Sequence, residues 1–166
     1  LIALSLSGRL FEAVTTETDK PTFSEVSGLG EVIQISGTFN HCLAVTKDGR
    51  VFGRGSNKGG KLGLGKNVEE VSEFVEIVKL RDKNIRNVFA GRVHSLFLND
   101  EGKIFACGTN EFGHLMTSDG LTEYSIFEPV ETSIKSGASF CIAGDSVSAV
   151  FLNCQPLKNC PNQKII

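Results

Sequence analysis

Hydrophobic positions fall in short blocks, and the blocks recur along the chain. Leu43-Ala44-Val45 is followed by Asp48-Gly49 and then by Val51-Phe52. Leu96-Phe97-Leu98 is followed by Glu101-Gly102 and then by Ile104-Phe105. Each block predicts a β-hairpin, with strands over 42–46 and 50–54 in one and over 95–99 and 103–107 in the other. Asp-Gly suits a two-residue turn because both central residues take positive φ. Shorter apolar runs upstream predict further strands over 32–36 and 85–90. Leu96, Phe97 and Leu98 are apolar at every position, which fits a strand buried on both faces. No long stretch keeps a 3.6-residue period. The best helix candidate is 68–80, but its apolar residues Val71, Phe74, Val75, Ile77 and Val78 also fit a charged loop leading into an outer strand.

The blocks are copies of one unit. Shifted by 53 residues, positions 41–62 fall on 94–115 with eight identities: His41/His94, Leu43/Leu96, Gly49/Gly102, Phe52/Phe105, Gly55/Gly108, Asn57/Asn110, Gly60/Gly113 and Leu62/Leu115. Chance gives on the order of one or two. A shift of 41 lays Ala3, Gly8, Arg9 and Phe11 on Ala44, Gly49, Arg50 and Phe52, so the sequence starts inside a copy. A fourth, weaker copy over 134–152 places Gly137 and Phe140 at the positions of Gly91 and His94. The expected division is a partial blade at 1–30, blades at 31–83 and 84–133, a degenerate repeat at 134–152 and a tail at 153–166. A repeat of about 50 residues holding several strands is the signature of β-propeller blades. One blade cannot cover its two apolar faces, so neighbours must stack.

That pattern changes the meaning of the length. A chain of 166 residues is ordinarily one domain, but at 53 residues per step it holds about three blades. Propellers close with about four to eight blades. The expected fold is therefore all-β, a partial arc of a ring completed by a longer chain or by another copy. The 18 glycines exceed the usual share of about 7% and mark repeated turns. A net charge of −2, from 17 basic and 19 acidic residues, argues against a wholesale polyanion binder. No apolar run approaches the roughly 20 residues of a membrane helix. Cys42, Cys107, Cys141, Cys154 and Cys160 have no metal spacing. They read as reduced, mostly buried thiols of an intracellular protein, cytoplasmic or nuclear.

Few residues carry candidate chemistry. His41 and His94 recur at one repeat position, whereas a catalytic group is needed once, so they read as side chains that hydrogen-bond backbone at a blade corner. His114, aligned with Lys61, is expected to be exposed and to offer a partner contact. The string from Gly55 to Lys61 matches the Gly-x4-Gly-Lys opening of a phosphate-binding loop. Leu62 replaces the required Ser or Thr, and Gly63 and Gly65 oppose the required helix. No cofactor is expected. Lys47, Arg50, Arg54, Lys58, Lys61 and Lys66 lie within 20 residues that hold one acid, Asp48. Strand alternation puts Arg50 and Arg54 on one face, a candidate basic rim for nucleic acid or an acidic partner. Solvated hairpin charge is the alternative, and no aromatics interleave for base stacking. Arg54, Lys58, Lys61 and His114 are the candidate interaction residues. Glu69, Glu70, Glu73 and Glu76, with Lys79, Arg81 and Lys83 after them, read as a solvated excursion between blades.

The string ISGTFNHCLAVTKDGRVFGRGSNKGGKLGLG resembles the repeat of the regulator-of-chromosome-condensation family, and AGRVHSLFLNDEGKIFACGTNEFGHLM is similar to it. The shared grammar is a Gly three residues before a His, an apolar strand, an acidic-Gly turn and Gly-(Ser/Thr)-Asn-x-x-Gly-x-Leu. Gly91, His94, Gly102, Gly108, Asn110, Gly113 and Leu115 fill it in one copy. His41, Gly49, Gly55, Asn57, Gly60, Leu62 and Gly63 fill it in the other, with Thr38 standing where the first Gly is expected. The resemblance implies a seven-bladed propeller. The family's founding member is an exchange factor for the small GTPase Ran, and most relatives use the propeller as an interaction platform. The expected function is a non-catalytic protein-interaction module, with guanine-nucleotide exchange on a Ras-like GTPase and chromatin or nucleic-acid association as alternatives.

Overall fold

A computed structural model describes residues 1–14, 22–117, 125–134, 136–145 and 147–153. Its described residues form thirteen strands in four antiparallel sheets. The first sheet holds β1 (Ile2–Leu4), β2 (Leu10–Val14) and β3 (Thr22–Val26). The second holds β4 (Val32–Gly37), β5 (His41–Thr46), β6 (Val51–Ser56) and β7 (Glu70–Glu76). The third repeats it with β8 (Ile85–Ala90), β9 (His94–Asn99), β10 (Ile104–Thr109) and β11 (Ser125–Glu131). The last pairs β12 (Ala138–Ala143) with β13 (Ser148–Leu152). Both four-stranded sheets run in simple sequence order, which is the up-and-down meander of a propeller blade. The fold is all-β, a partial propeller arc.

The hairpins differ from the expected two-residue turn. Thr46 N–H donates to the Arg50 carbonyl and Gly49 N–H to the Thr46 carbonyl. Gly49 has φ 82° and Gly102 φ 76°, whereas Asp48 and Glu101 keep negative φ. This is a three-residue loop ending in a left-handed glycine. The glycine is required twice over, by its φ and by a neighbour. A Cβ on Gly102 would lie 2.7 Å from the Gly137 nitrogen, at the start of the next sheet. After the turn, Arg9 stacks over Phe11 and Arg50 over Phe52 at 5.3 and 5.4 Å.

The apolar core lies between the sheets. Leu10, Val32, Ala44 and Phe52 join the first sheet to the second. Leu43, Val45, Val51, Leu62, Val88, Phe97 and Phe105 join the second to the third. Phe89, Leu96, Leu98, Ala138 and Cys141 join the third to the last. β9 is therefore buried along its whole length, with Phe97 facing backward and Leu96 and Leu98 forward. Hydrogen bonds also cross between β4 and β8. Val88 N–H donates to Gln34 Oε1 at 2.9 Å, Gln34 Nε2 donates to the Val88 carbonyl at 3.2 Å, and Ala90 N–H donates to Ser36 Oγ at 3.0 Å. The Gln34 carboxamide thus stands in for a missing strand at the edge of β8.

Of the two readings of 68–80, the outer strand holds: the segment gives β7 and a 3-10 turn, Val78–Leu80, and no α-helix. The register expected for the last copy is corrected. The fourth copy keeps the 53-residue step. Gly144 N–H donates to the Val147 carbonyl as Gly91 N–H does to that of His94. Gly144 and Val147, not Gly137 and Phe140, therefore occupy the positions of Gly91 and His94. The polar stretch 15–21 and Cys154 and Cys160 lie outside the described residues.

Candidate interaction face

The loops at 38–40 and 91–93 and those beginning at Asn57 and Asn110 emerge at the same end of their sheets. Backbone bonds tie them together there: Ser56 N–H to the Asn40 carbonyl and Thr109 N–H to that of Val93. Close approach explains Gly55 and Gly108. A Cβ on Gly55 would lie 2.4 Å from the Asn40 oxygen, and one on Gly108 2.5 Å from the His94 Cα. Asn57 holds the following loop from inside. Its Nδ2 donates to the carbonyls of Gly65 (3.0 Å) and Val68 (2.7 Å), and its Oδ1 accepts from Leu62 N–H at 2.9 Å. Asn110 Oδ1 accepts from Leu115 N–H at 3.2 Å in the same way. Leu62 and Leu115 are fully buried. Gly60 packs on the backbone of β11 in the next blade, whereas Gly113 faces open space.

The recurring histidines join blades. His41 Nδ1 is bonded to Thr38 Oγ1 at 2.9 Å, and its Nε2 lies 3.4 Å from Ser95 Oγ in β9. His94 Nε2 is bonded to Ser148 Oγ in β13 at 2.9 Å. Their partners are thus side chains, and the outer one belongs to the next blade rather than to local backbone. Thr38 supplies a bond where Gly91 supplies space, since a Cβ on Gly91 would lie 2.6 Å from the His94 ring. Burial, with Lys61 and His94 nearby, pulls the His41 pKa down to about 4. Burial, with His114 nearby, does the same for His94. Both rings are neutral at neutral pH.

His114 is buried, not exposed, at 8% accessibility. Its ring lies 4.7 Å from that of His94, and neither of its nitrogens has a hydrogen-bond partner among the described residues. Lys61, at the equivalent position, is 4% exposed, and its Nζ donates to Asn40 Oδ1 at 3.3 Å. Its carbonyl accepts from Ser95 Oγ at 2.6 Å. The basic run does not form one patch. Lys47 pairs with Glu31, Arg50 with Asp48, and Arg54 with Glu12 of the first sheet. Lys58 remains at the loop face, exposed. The acidic run is likewise part of the fold, in β7, with Glu76 paired to Arg81 at 2.8 Å.

What the loop face exposes is different. Phe39 is 85% and Phe112 71% accessible. Arg92 stands at the position equivalent to Phe39 and pairs with Asp145 one blade further on. Thr38, Phe39, Ala90, Gly91, Arg92 and Asp145 line a hollow of about 330 Å3. Sequence reading missed Ser95 and Ser148, although both occupy one repeat position, 53 residues apart. Among the described residues, no group of three or more His, Cys, Asp or Glu could hold a metal ion. Cys42, Cys107 and Cys141 are free thiols, and burial raises their pKa values, to about 11 for Cys42 and Cys141. No helix among the described residues is long and apolar enough to cross a membrane.

Stacked antiparallel blades whose repeated Gly, His and Asn residues serve the turns and the blade joints define a β-propeller repeat protein. Family profiles described as "Regulator of chromosome condensation (RCC1) repeat" match residues 32–60 and 85–113, and 48–98. The chain belongs to the regulator-of-chromosome-condensation repeat family. It is 29% identical over 153 residues to the secretion-regulating guanine nucleotide exchange factor of Mus musculus, covering 86% of this chain and 33% of that protein. It is 32% identical over 102 residues to the guanine nucleotide exchange factor SRM1 of Saccharomyces cerevisiae, covering 59% and 21%. The structure of Prp20p from Saccharomyces cerevisiae, solved with a study of its binding to Gsp1p and histones, shares the fold. The TM-score is 0.74 at 23% identity, over 92% of this chain and 41% of that one. The chain spans about a third or less of the length of these curated relatives.

Proposed function

We propose that residues 1–152 are blades of a larger, seven-bladed propeller, divided at 30, 83 and 133, whose loop face is a non-catalytic protein-interaction platform. The remaining blades come from a longer chain or another copy. The observation that carries this reading is how the polar groups divide. His41, His94, Asn57 and Asn110 are engaged within and between sheets. The loop face exposes Phe39, Phe112, Lys58 and Arg92 instead. Exposed aromatic residues with arginine are the usual makings of an interface. The free thiols, buried at Cys107 and Cys141 and half-buried at Cys42, support a reducing, intracellular compartment, cytoplasmic or nuclear. A pull-down with the complete protein, beside its Phe39→Ser/Phe112→Ser variant, tests the reading. Specific proteins retained by the wild type and lost by the variant are expected; an identical set, or none, contradicts it.

Guanine-nucleotide exchange on a small Ras-like GTPase is the second reading, supported by relatives named as exchange factors. Release of mantGDP from a Ran-type GTPase at micromolar complete protein decides it. Acceleration would replace the platform reading, and an unchanged rate removes exchange. Nucleic-acid association through the basic run has the least support, because ion pairs engage Lys47, Arg50 and Arg54 and burial takes up Lys61.

A further inference from the structure

Lys61 is an anomaly in the joint between the second and third blades. Its side chain is buried, with one acceptor among the described residues, Asn40 Oδ1, at 3.3 Å. None of the ion pairs formed among the described residues includes it. A buried charge without an opposite charge costs stability. Burial first, then Lys58 and Arg92, hold the Lys61 pKa below the ordinary lysine value. Lys58 and Arg92 are exposed and act on Lys61 across space, with Asp145 engaging Arg92 through Nε. Phe39 and the small residues Ala90 and Gly91 line the hollow together with Arg92 and Asp145.

We propose that this face binds an acidic protein segment that also carries an apolar side chain. Its carboxylates sit on Lys58 and Arg92, over the buried charge of Lys61, and its apolar side chain packs in the hollow against Phe39. Lys61 touches no ligand; it raises the positive potential where the ligand sits, and the low-dielectric joint around it strengthens that effect. The inference rests on the platform reading and names the chemistry of the partner. A protein segment fits better than nucleic-acid phosphate, because the hollow beside Phe39 takes an apolar side chain rather than a second phosphate.

The test is fluorescence anisotropy of the complete protein with a labelled octapeptide of six glutamates, one leucine and one phenylalanine. A lysine-for-glutamate peptide and a labelled single-stranded DNA serve as comparisons. Saturable, salt-sensitive binding of the acidic peptide alone is expected. Arg92→Ala should weaken it at least tenfold and Lys61→Met about three- to tenfold, while Lys79→Ala on the outer rim leaves it unchanged. Lys61→Met should also melt at a higher temperature than wild type, because an unbalanced buried charge has gone. A merely structural lysine predicts the reverse: a lower melting temperature and unchanged binding. That result, equal binding by wild type and Arg92→Ala, or tighter binding of DNA with the same sensitivity overturns the proposal. Partners lost with Phe39→Ser/Phe112→Ser but retained by Arg92→Ala would overturn this site and leave the platform standing.

Discussion

His94 and Ser148 are joined by a hydrogen bond of 2.9 Å across the boundary between the third and last sheets. One blade earlier, His41 faces Ser95 at 3.4 Å. Both pairs are 54 residues apart, one repeat plus one position. The histidine recurs because the joint recurs.

These joints make the protein sensitive to acid. Both histidines fall from an ordinary 6.5 to about 4 in the fold. Between those values the unfolded chain binds more protons than the folded one, so stability falls as pH falls. The contribution is complete above about pH 6.5, declines towards pH 4 and changes little below it. Going from neutral pH to below pH 4 costs on the order of 3 kcal/mol for each histidine. Urea unfolding at pH 7.5 and pH 4.5 should show the loss, and His94→Asn should flatten the profile.

Glycines should rank by what a Cβ would meet. Gly108→Ala meets the His94 backbone at 2.5 Å at φ 115° and should cost on the order of 3 kcal/mol or more. Gly65→Ala has nothing within 4 Å and bears only the strain of φ 90°, about 1 kcal/mol. Equal melting temperatures for the two variants would contradict the close-approach account.

Asn57→Asp should cost about 3 kcal/mol although it keeps the shape. The change replaces the donor to the Gly65 and Val68 carbonyls with a carboxylate facing them. Asn110→Asp, whose Oδ1 still accepts from Leu115 N–H, should cost less. Thermal melts of both variants check the order.

Gln34→Ala removes the carboxamide that accepts from Val88 N–H. Hydrogen exchange at Val88 should accelerate, while Leu96 and Phe97, held inside their own sheet, keep their protection.

What the sequence made legible was local. Gly49 and Gly102 announce hairpins because a tight turn is settled within a few residues. The identity of the 53-residue step announced stacking. The role of His41 was not legible, because its partner Ser95 lies a blade away. His114 looked like a surface residue because its repeat position varies; burial there is set by His94 beside it. The register of the last hairpin was hidden because Val147 replaces histidine while the backbone bond from Gly144 is kept. Side chains diverged where the main chain did not.

The central claim is that histidine, asparagine and glycine hold the blades together while the loop face meets the partner. Hydrogen exchange of the complete protein, alone and with a partner retained in the pull-down, tests it most directly. Protection is expected at 38–40, 58–62, 91–93 and 111–114. Protection at the outer strands, 70–76 and 125–131, with those loops unchanged would contradict it.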